Sequence, residues 1–468
     1  MRASFGVVIG WLLSIAGCAA TGGGPMEPPT GPAPDCQGLA CAVPRCPAES
    51  STVLTGRVTA PNGGQPIPQA LVYIPESPGP LSPIAAALGC EACNRPLSDR
   101  TVAVTQTGID GRFTLRGVPA GERIPIVIQK GRFRRRFEMT IAPCQTQAAT
   151  APGGGDSLPL PGSMSDGDLP LMAVAAGDHD AIECVLRELG IAPGEFAGAD
   201  DPSSGEPTSG RVHLYNNQAP GAPTLAGQPP LSTLLRDRGR MLRYPLIFLN
   251  CSGPTYSESL LRDPQVLSNL RDYLTGGGRL YVTDWSYDFL QQVPELAPFV
   301  CFEDDQDCAI TTPHGFHTAP AHGGSLNLLT AQVSTDTPTT RALADWIAAL
   351  PGERPLMPSA LPVSDLLPGW VVVQKTATDL RYPTTTWLTA ELSDRLRPPR
   401  LRPLTVSFDY PPQAPCGRAL FSSYHTRQRS LRLPFPEYCP ATGSGLLPQE
   451  HILAFLLFEL GSCLGPPA

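Results

Sequence analysis

The stretch Asp263-Pro264-Gln265-Val266-Leu267-Ser268-Asn269-Leu270-Arg271-Asp272-Tyr273-Leu274-Thr275-Gly276-Gly277-Gly278-Arg279-Leu280-Tyr281-Val282-Thr283 decides the reading of this chain. Its first part, 263–274, reads as a helix, with apolar residues at helical spacing. Three glycines end it, because glycine tolerates the positive φ of a helix stop. Residues 279–283 then form a short apolar run of strand type. The same alternation extends outward on both sides. Upstream, strands are predicted at 169–175, 212–215 and 244–249, with a helix at 180–189. Downstream, strands at 405–408 and 419–422 precede a closing helix at 448–460. Strands alternating with helices predict a parallel sheet covered on both faces, and continuous apolar strands fit burial on both sides. The expected architecture is an α/β, flavodoxin-like parallel sheet over 167–300 and 396–463, with an irregular insert at 301–395.

Residues 51–145 read differently, as all-β. Runs rich in β-branched and aromatic residues occur at 53–59, 70–74, 101–105, 112–115, 124–129 and 134–141, with turn residues between them. Asp110-Gly111 is a tight hairpin signal. Residues 146–166 are read as a linker. Arg132, Arg134 and Arg136 alternate with Phe133 and Phe137 along the last strand. Such a ladder is either a solvated face or a surface for an anionic partner.

Two family resemblances rest on quoted residues. Thr55-Gly56-Arg57-Val58, Ile67-Pro68-Gln69-Ala70-Leu71-Val72, Thr107-Gly108-Ile109-Asp110-Gly111-Arg112-Phe113-Thr114-Leu115 and Val118-Pro119-Ala120-Gly121 resemble the carboxypeptidase regulatory-like domain. That resemblance implies a transthyretin-like β-sandwich carrying no peptidase residues. Tyr244-Pro245-Leu246-Ile247-Phe248-Leu249-Asn250, Leu270 to Tyr273 with Gly276-Gly277-Gly278-Arg279-Leu280, and Gly417-Arg418-Ala419-Leu420-Phe421-Ser422-Ser423-Tyr424-His425 resemble the class I glutamine amidotransferase-like superfamily, in its trehalose-utilisation branch. The whole arrangement, with Asp180 to Arg187 and the final Cys463, is similar to a set of uncharacterised myxobacterial envelope proteins, which brings no known activity.

The first eighteen residues resemble a bacterial lipoprotein signal. Arg2 supplies a charge, Phe5 to Ile15 an apolar run too short to span a bilayer, and Ile15-Ala16-Gly17-Cys18 a lipobox. The expected consequence is lipidation of Cys18, and with it membrane anchorage of an exported body. An ordinary secretory signal cut after Ala20 is the alternative. Ala19 follows the cysteine, with no Asp to suggest inner-membrane retention, so the outer membrane is favoured. Residues 19–50, rich in Gly, Pro and Ala, are expected to act as a disordered tether, with Cys36, Cys41 and Cys46 pinning its far end.

Composition narrows the function classes. A net charge of −8 over 468 residues argues against nucleic-acid partners. Fourteen cysteines suit an exported, disulfide-bonded protein. Cys90 with Cys93 and Cys301 with Cys308 are candidate loop staples, and Cys184 is a candidate partner for Cys251. Cys90 and Cys93 lack the second pair that a zinc site of this type needs.

Ligands of open α/β sheets sit at the carboxyl ends of the strands. The polar residues arriving there are Asp178, His179, Asn250, Cys251, Asp284, Trp285, Tyr424 and His425. Cys251, His425 and Asp284 are candidates for a nucleophile–base–orienter set. However, the superfamily's cysteine sits on a sharp turn after the strand equivalent to 279–283, where this sequence has Asp284-Trp285. Cys251 also lacks a Gly-x-Cys-x-Gly elbow. His314 and His317, with His322 and the acidic run from Glu303 to Asp307, are candidate metal ligands, or simply a solvated acidic loop. The expectation is an envelope-anchored lipoprotein with a non-catalytic binding or structural role, engaging a glycan or protein and needing no cofactor. The alternative is a hydrolase using Cys251, His425 and Asp284, or a metal, in the α/β crevice.

Overall fold

The computed structural model describes residues 36–47, 50–84, 88–90, 100–151, 155, 157–198, 210–217, 228–302, 316, 321–322, 328–352, 355–364, 366, 369–374, 382–394, 397–426 and 433–460. The chain is multidomain and rich in β-structure, with several sheets and flanking helices. No helix among the described residues is long and apolar enough to cross a membrane.

The N-terminal unit contains two four-stranded sheets. One is antiparallel, in the order Thr101–Gln106, Leu71–Pro75, Gly121–Lys130, Phe133–Ile141. The other is centred on Val53–Thr59, which pairs antiparallel with Arg112–Arg116 and parallel with Thr146–Ala148 and Leu158–Pro159. Leu54, Val58, Phe113 and Leu115 of one sheet share a core with Val72, Ile74, Ile126 and Ile128 of the other.

 Two sequence expectations change here. Asp110-Gly111 joins strands that lie in different sheets, so it is a crossing turn and not a hairpin; Gly111 adopts φ +76° there. The expected linker at 146–166 instead supplies two short strands to the sheet, burying Leu158 and Leu160.

The arginines of the last strand are not a solvated face. Arg134 is buried, with Nε 2.8 Å from Asp168 and a guanidinium N–H donated to Ser82 O. Arg136 donates to Pro78 O, and Arg132 is also buried. A loop therefore covers the ladder, leaving little of it for an anionic surface. The end of the expected tether is pinned as well: Cys36 pairs with Cys41, Cys46 pairs with Cys144, and Leu39 N donates to Glu76 O.

The second unit is built on a ten-stranded sheet. Its order is Phe196–Gly198, Val212–Asn216, Met172–Ala176, Leu246–Leu249, Arg279–Thr283, Gly417–Ser422, Arg397–Tyr410, Thr385–Asp394, Leu328–Val333, Leu361–Ser364. The first six strands run parallel; the remaining pairings are antiparallel. The sheet is thus mixed, not purely parallel. The region expected as an irregular insert contributes three of its strands and the helix Pro338–Ala348.

Residue alternation along the central strands explains the layers. Met172, Val174, Leu246 and Phe248 face one core with helices Ile182–Glu188 and Pro448–Leu460. Ala173, Ala175, Ile247 and Leu249 face another with Pro264–Thr275. Both faces are buried, as parallel strands require. The decisive stretch forms as its residues dictate. Asp263 caps the helix by accepting from Gln265 N, and Pro264 occupies the first turn, where its missing N–H costs nothing. Gly277 ends the helix at φ +99°.

The two units share one core. Phe133 meets Phe458 edge to face at 5.3 Å, and Trp346 Nε1–H donates to Pro66 O at 2.8 Å. Lys130, only 4% exposed, pairs with Glu459 at 2.7 Å.

Candidate functional site

Three neighbouring strands of the parallel half deliver the central residues. Cys251 lies two residues beyond Leu246–Leu249, Asp284 follows Arg279–Thr283 directly, and His425 lies three residues beyond Gly417–Ser422. Parallel pairing brings all three to the same carboxyl edge. Each is fully buried, and their ligand-type atoms lie within 4.8 Å of one another.

Local structure explains the convergence. Asp284 adopts φ +39°, a left-handed conformation that is uncommon for a non-glycine residue. This sharp turn points its carboxylate back across the sheet edge, toward Cys251. Cys251 itself is clamped: its N–H donates to Thr283 Oγ1 at 2.8 Å, and its carbonyl accepts from His179 N at 3.3 Å. Gly177 permits this approach, since a Cβ there would lie 2.0 Å from Cys251 O.

The order of contacts decides the chemistry. Cys251 Sγ lies 3.7 Å from Asp284 Oδ2, and His425 Nε2 lies 2.9 Å from that same oxygen. The carboxylate oxygen therefore contacts both thiol and imidazole, and the three groups form one cluster within 4.8 Å. A cysteine nucleophile needs a different order, with imidazole against sulfur and the acid behind it. Burial, and then the Asp284 charge, push the Cys251 thiol well above its ordinary value, although a Trp285 N–H to the sulfur opposes this. Reactive thiols are depressed by cationic neighbours; this one is raised.

The remaining carboxylate oxygen holds a roof. Val371 N–H donates to Asp284 Oδ1 at 2.6 Å. Val371 belongs to the short strand Trp370–Val371, which pairs with Ala321–His322, and both Trp370 and Val371 are buried. Sequence reasoning missed this contact, because a backbone donor eighty-odd residues away leaves no side-chain signature.

A second polar layer lies beneath. Asp180, fully buried, accepts from Ala181 N at 2.9 Å, Thr426 N at 2.9 Å and Thr283 Oγ1 at 2.7 Å. Asn250 donates to Glu183 Oε2 at 2.9 Å, and Ser286 Oγ–H donates to Asn250 O at 2.8 Å. Asp180, Thr283 and Thr426 were not among the expected crevice residues; the sole signal for them was their position next to strand ends.

The other expected crevice residues divide. Asp178 is half-buried and accepts from Ser252 Oγ at 3.2 Å and Gly253 N at 3.4 Å. His179 and Trp285 are also half-buried. Tyr424 is turned instead into the apolar core, where its hydroxyl accepts from Thr405 Oγ1 at 2.8 Å. His314 and His317 lie outside the described residues, as do Cys18, Cys93 and Cys308.

The disulfides correct the expected pairings. Cys251 is a free, buried thiol, and Cys184 pairs with Cys439. Cys90 pairs with Cys416, not with Cys93. Cys301 is disulfide-bonded. These partners are 255 and 326 residues apart, a distance over which spacing carries no pairing information.

No family model matches the chain, and no curated protein matches it. Among solved structures, the chain is similar to an N-terminal interface mutant of a type II cohesin–X-dockerin complex from Acetivibrio cellulolyticus. Identity is 15%, over 32% of this chain and 79% of that one, with a TM-score of 0.15. A likeness of that size carries no argument about fold or partner.

Proposed function

We propose that this chain is a lipid-anchored envelope protein with a non-catalytic binding or structural role. One observation carries the non-catalytic part: thiol and imidazole both converge on Asp284 Oδ2 beneath the Trp370–Val371 roof. In that arrangement the sulfur faces a carboxylate oxygen that the imidazole also contacts, and Cys251 is fully buried among the described residues. Long-range disulfides support export, since such bonds persist in oxidising compartments.

The finer reading is that the N-terminal sheets form a carboxypeptidase regulatory-like, transthyretin-like sandwich. The second unit is then an amidotransferase-like, flavodoxin-like body whose sharp turn carries an aspartate in place of the nucleophile. Lipid on Cys18 would hold this body at the outer membrane, where it engages a glycan or protein partner. The test is lipid labelling and fractionation of cells expressing the full chain. The wild type should take up labelled palmitate and stay with the outer membrane. Cys18→Ser should lose both label and membrane association, and label retained by that variant would overturn the anchor.

A further inference from the structure

The geometry points to a buried transition-metal site formed by Cys251, Asp284 and His425, suited to zinc. This inference deepens the non-catalytic reading: the ion would be a structural staple across three strands, not a reaction centre.

The donor set comes first. A thiolate sulfur, a carboxylate oxygen and an imidazole nitrogen are the three donor types that zinc takes, at about 2.0 to 2.3 Å each. Here they arrive from three adjacent strand ends, with all candidate atoms within 4.8 Å. Ligands around a tetrahedral zinc are about 3.3 to 3.7 Å apart by that geometry. Sγ and Oδ2 of the free thiol and carboxylate already lie 3.7 Å apart. The His425–Asp284 contact of 2.9 Å is shorter than that separation and would lengthen on coordination.

Supporting contacts come second. Val371 N–H holds Asp284 Oδ1, which leaves Oδ2 as the atom facing Cys251 and His425. A Trp285 N–H reaches the sulfur. Outer contacts of this kind orient ligands and stabilise a thiolate.

Charge comes third. Asp284 and Asp180 are both fully buried. Asp180 is held by neutral donors: two backbone N–H groups and two threonine hydroxyls. Buried carboxylates are normally offset by a cation or a metal. A divalent ion provides that offset as the Cys251 thiol gives up its proton on coordination. A fourth donor, from protein or water, completes the shell. The roof closes over the site, so loading would accompany folding.

The experiment uses the full chain produced in medium supplemented with cobalt(II), followed by extensive dialysis. Wild type should retain about one cobalt per chain and show a sulfur-to-cobalt charge-transfer band in the near ultraviolet. Cys251→Ser should lose that band, and His425→Gln should lower metal content several-fold while far-ultraviolet circular dichroism stays unchanged. Absence of cobalt from folded wild type overturns the site. So does a band that survives in Cys251→Ser, which would locate the metal elsewhere. Alkylation of the metal-free protein separates the two readings: an inert Cys251 keeps the non-catalytic reading even when the metal fails, whereas a fast-reacting one removes it.

Discussion

Nε2 of His425 lies 2.9 Å from Oδ2 of Asp284, and both residues are fully inaccessible to solvent. Removing His425 takes one contact from a buried carboxylate and leaves it the Val371 N–H and the Cys251 thiol. His425→Ala should therefore destabilise the protein by about 3 kcal/mol, read by equilibrium urea unfolding. The double variant with Asp284→Asn should cost much less than the sum of the two single changes. Additive effects would show that the pair is not coupled.

The roof gives a second expectation. Val371→Pro deletes the N–H that donates to Asp284 Oδ1. Loss of a hydrogen bond to a charged group costs about 2 kcal/mol, so alkylation of Cys251 through local opening should speed roughly 30-fold by that energy. An unchanged rate would mean that other contacts close the site.

How far the sequence foretold these relationships depends on which residues carry them. Val53–Thr59, Arg279–Thr283 and Pro448–Leu460 form where the residue pattern places them, because uninterrupted β-branched or apolar runs are bounded by strong turn signals. The strand at Leu328–Val333 was missed although its exposure alternates, with Leu329, Ala331 and Val333 buried. Threonine, alanine and glutamine soften that period-two signal. Cys251, Asp284 and His425 were legible as strand-end residues; their order in space was not. It depends on the positive φ of Asp284 and on a backbone donor from Val371, neither of which has a residue-type signature.

The junction between the two units supplies a third prediction. Lys130 and Glu459 are 4% and 13% exposed and pair at 2.7 Å. Glu459→Gln strands a buried ammonium and should cost about 3 kcal/mol. Combining Lys130→Met with Glu459→Leu should recover most of that loss. Thermal unfolding of the three variants checks the order.

His451 provides a pH signature. It packs near Trp346, its Nδ1 is buried with no hydrogen-bond partner among the described residues, and burial pulls it down to about 4. The neutral form is favoured in the fold, so its contribution is fully present above the unfolded value, about 6.5. It is lost as pH falls from there toward 4, with a slope of at most about 1.4 kcal/mol per pH unit. His451→Leu should flatten the stability profile in that window relative to wild type. Parallel profiles would contradict the assignment.

The most direct test of the central claim is a timed alkylation of the native, non-reduced full chain at neutral pH, mapped by mass spectrometry. A thiol facing a carboxylate under a closed roof should leave Cys251 unmodified until denaturant is added, and then label it fully. Rapid labelling of Cys251 in the native state would reveal an accessible, activated thiol, and the non-catalytic account would fall.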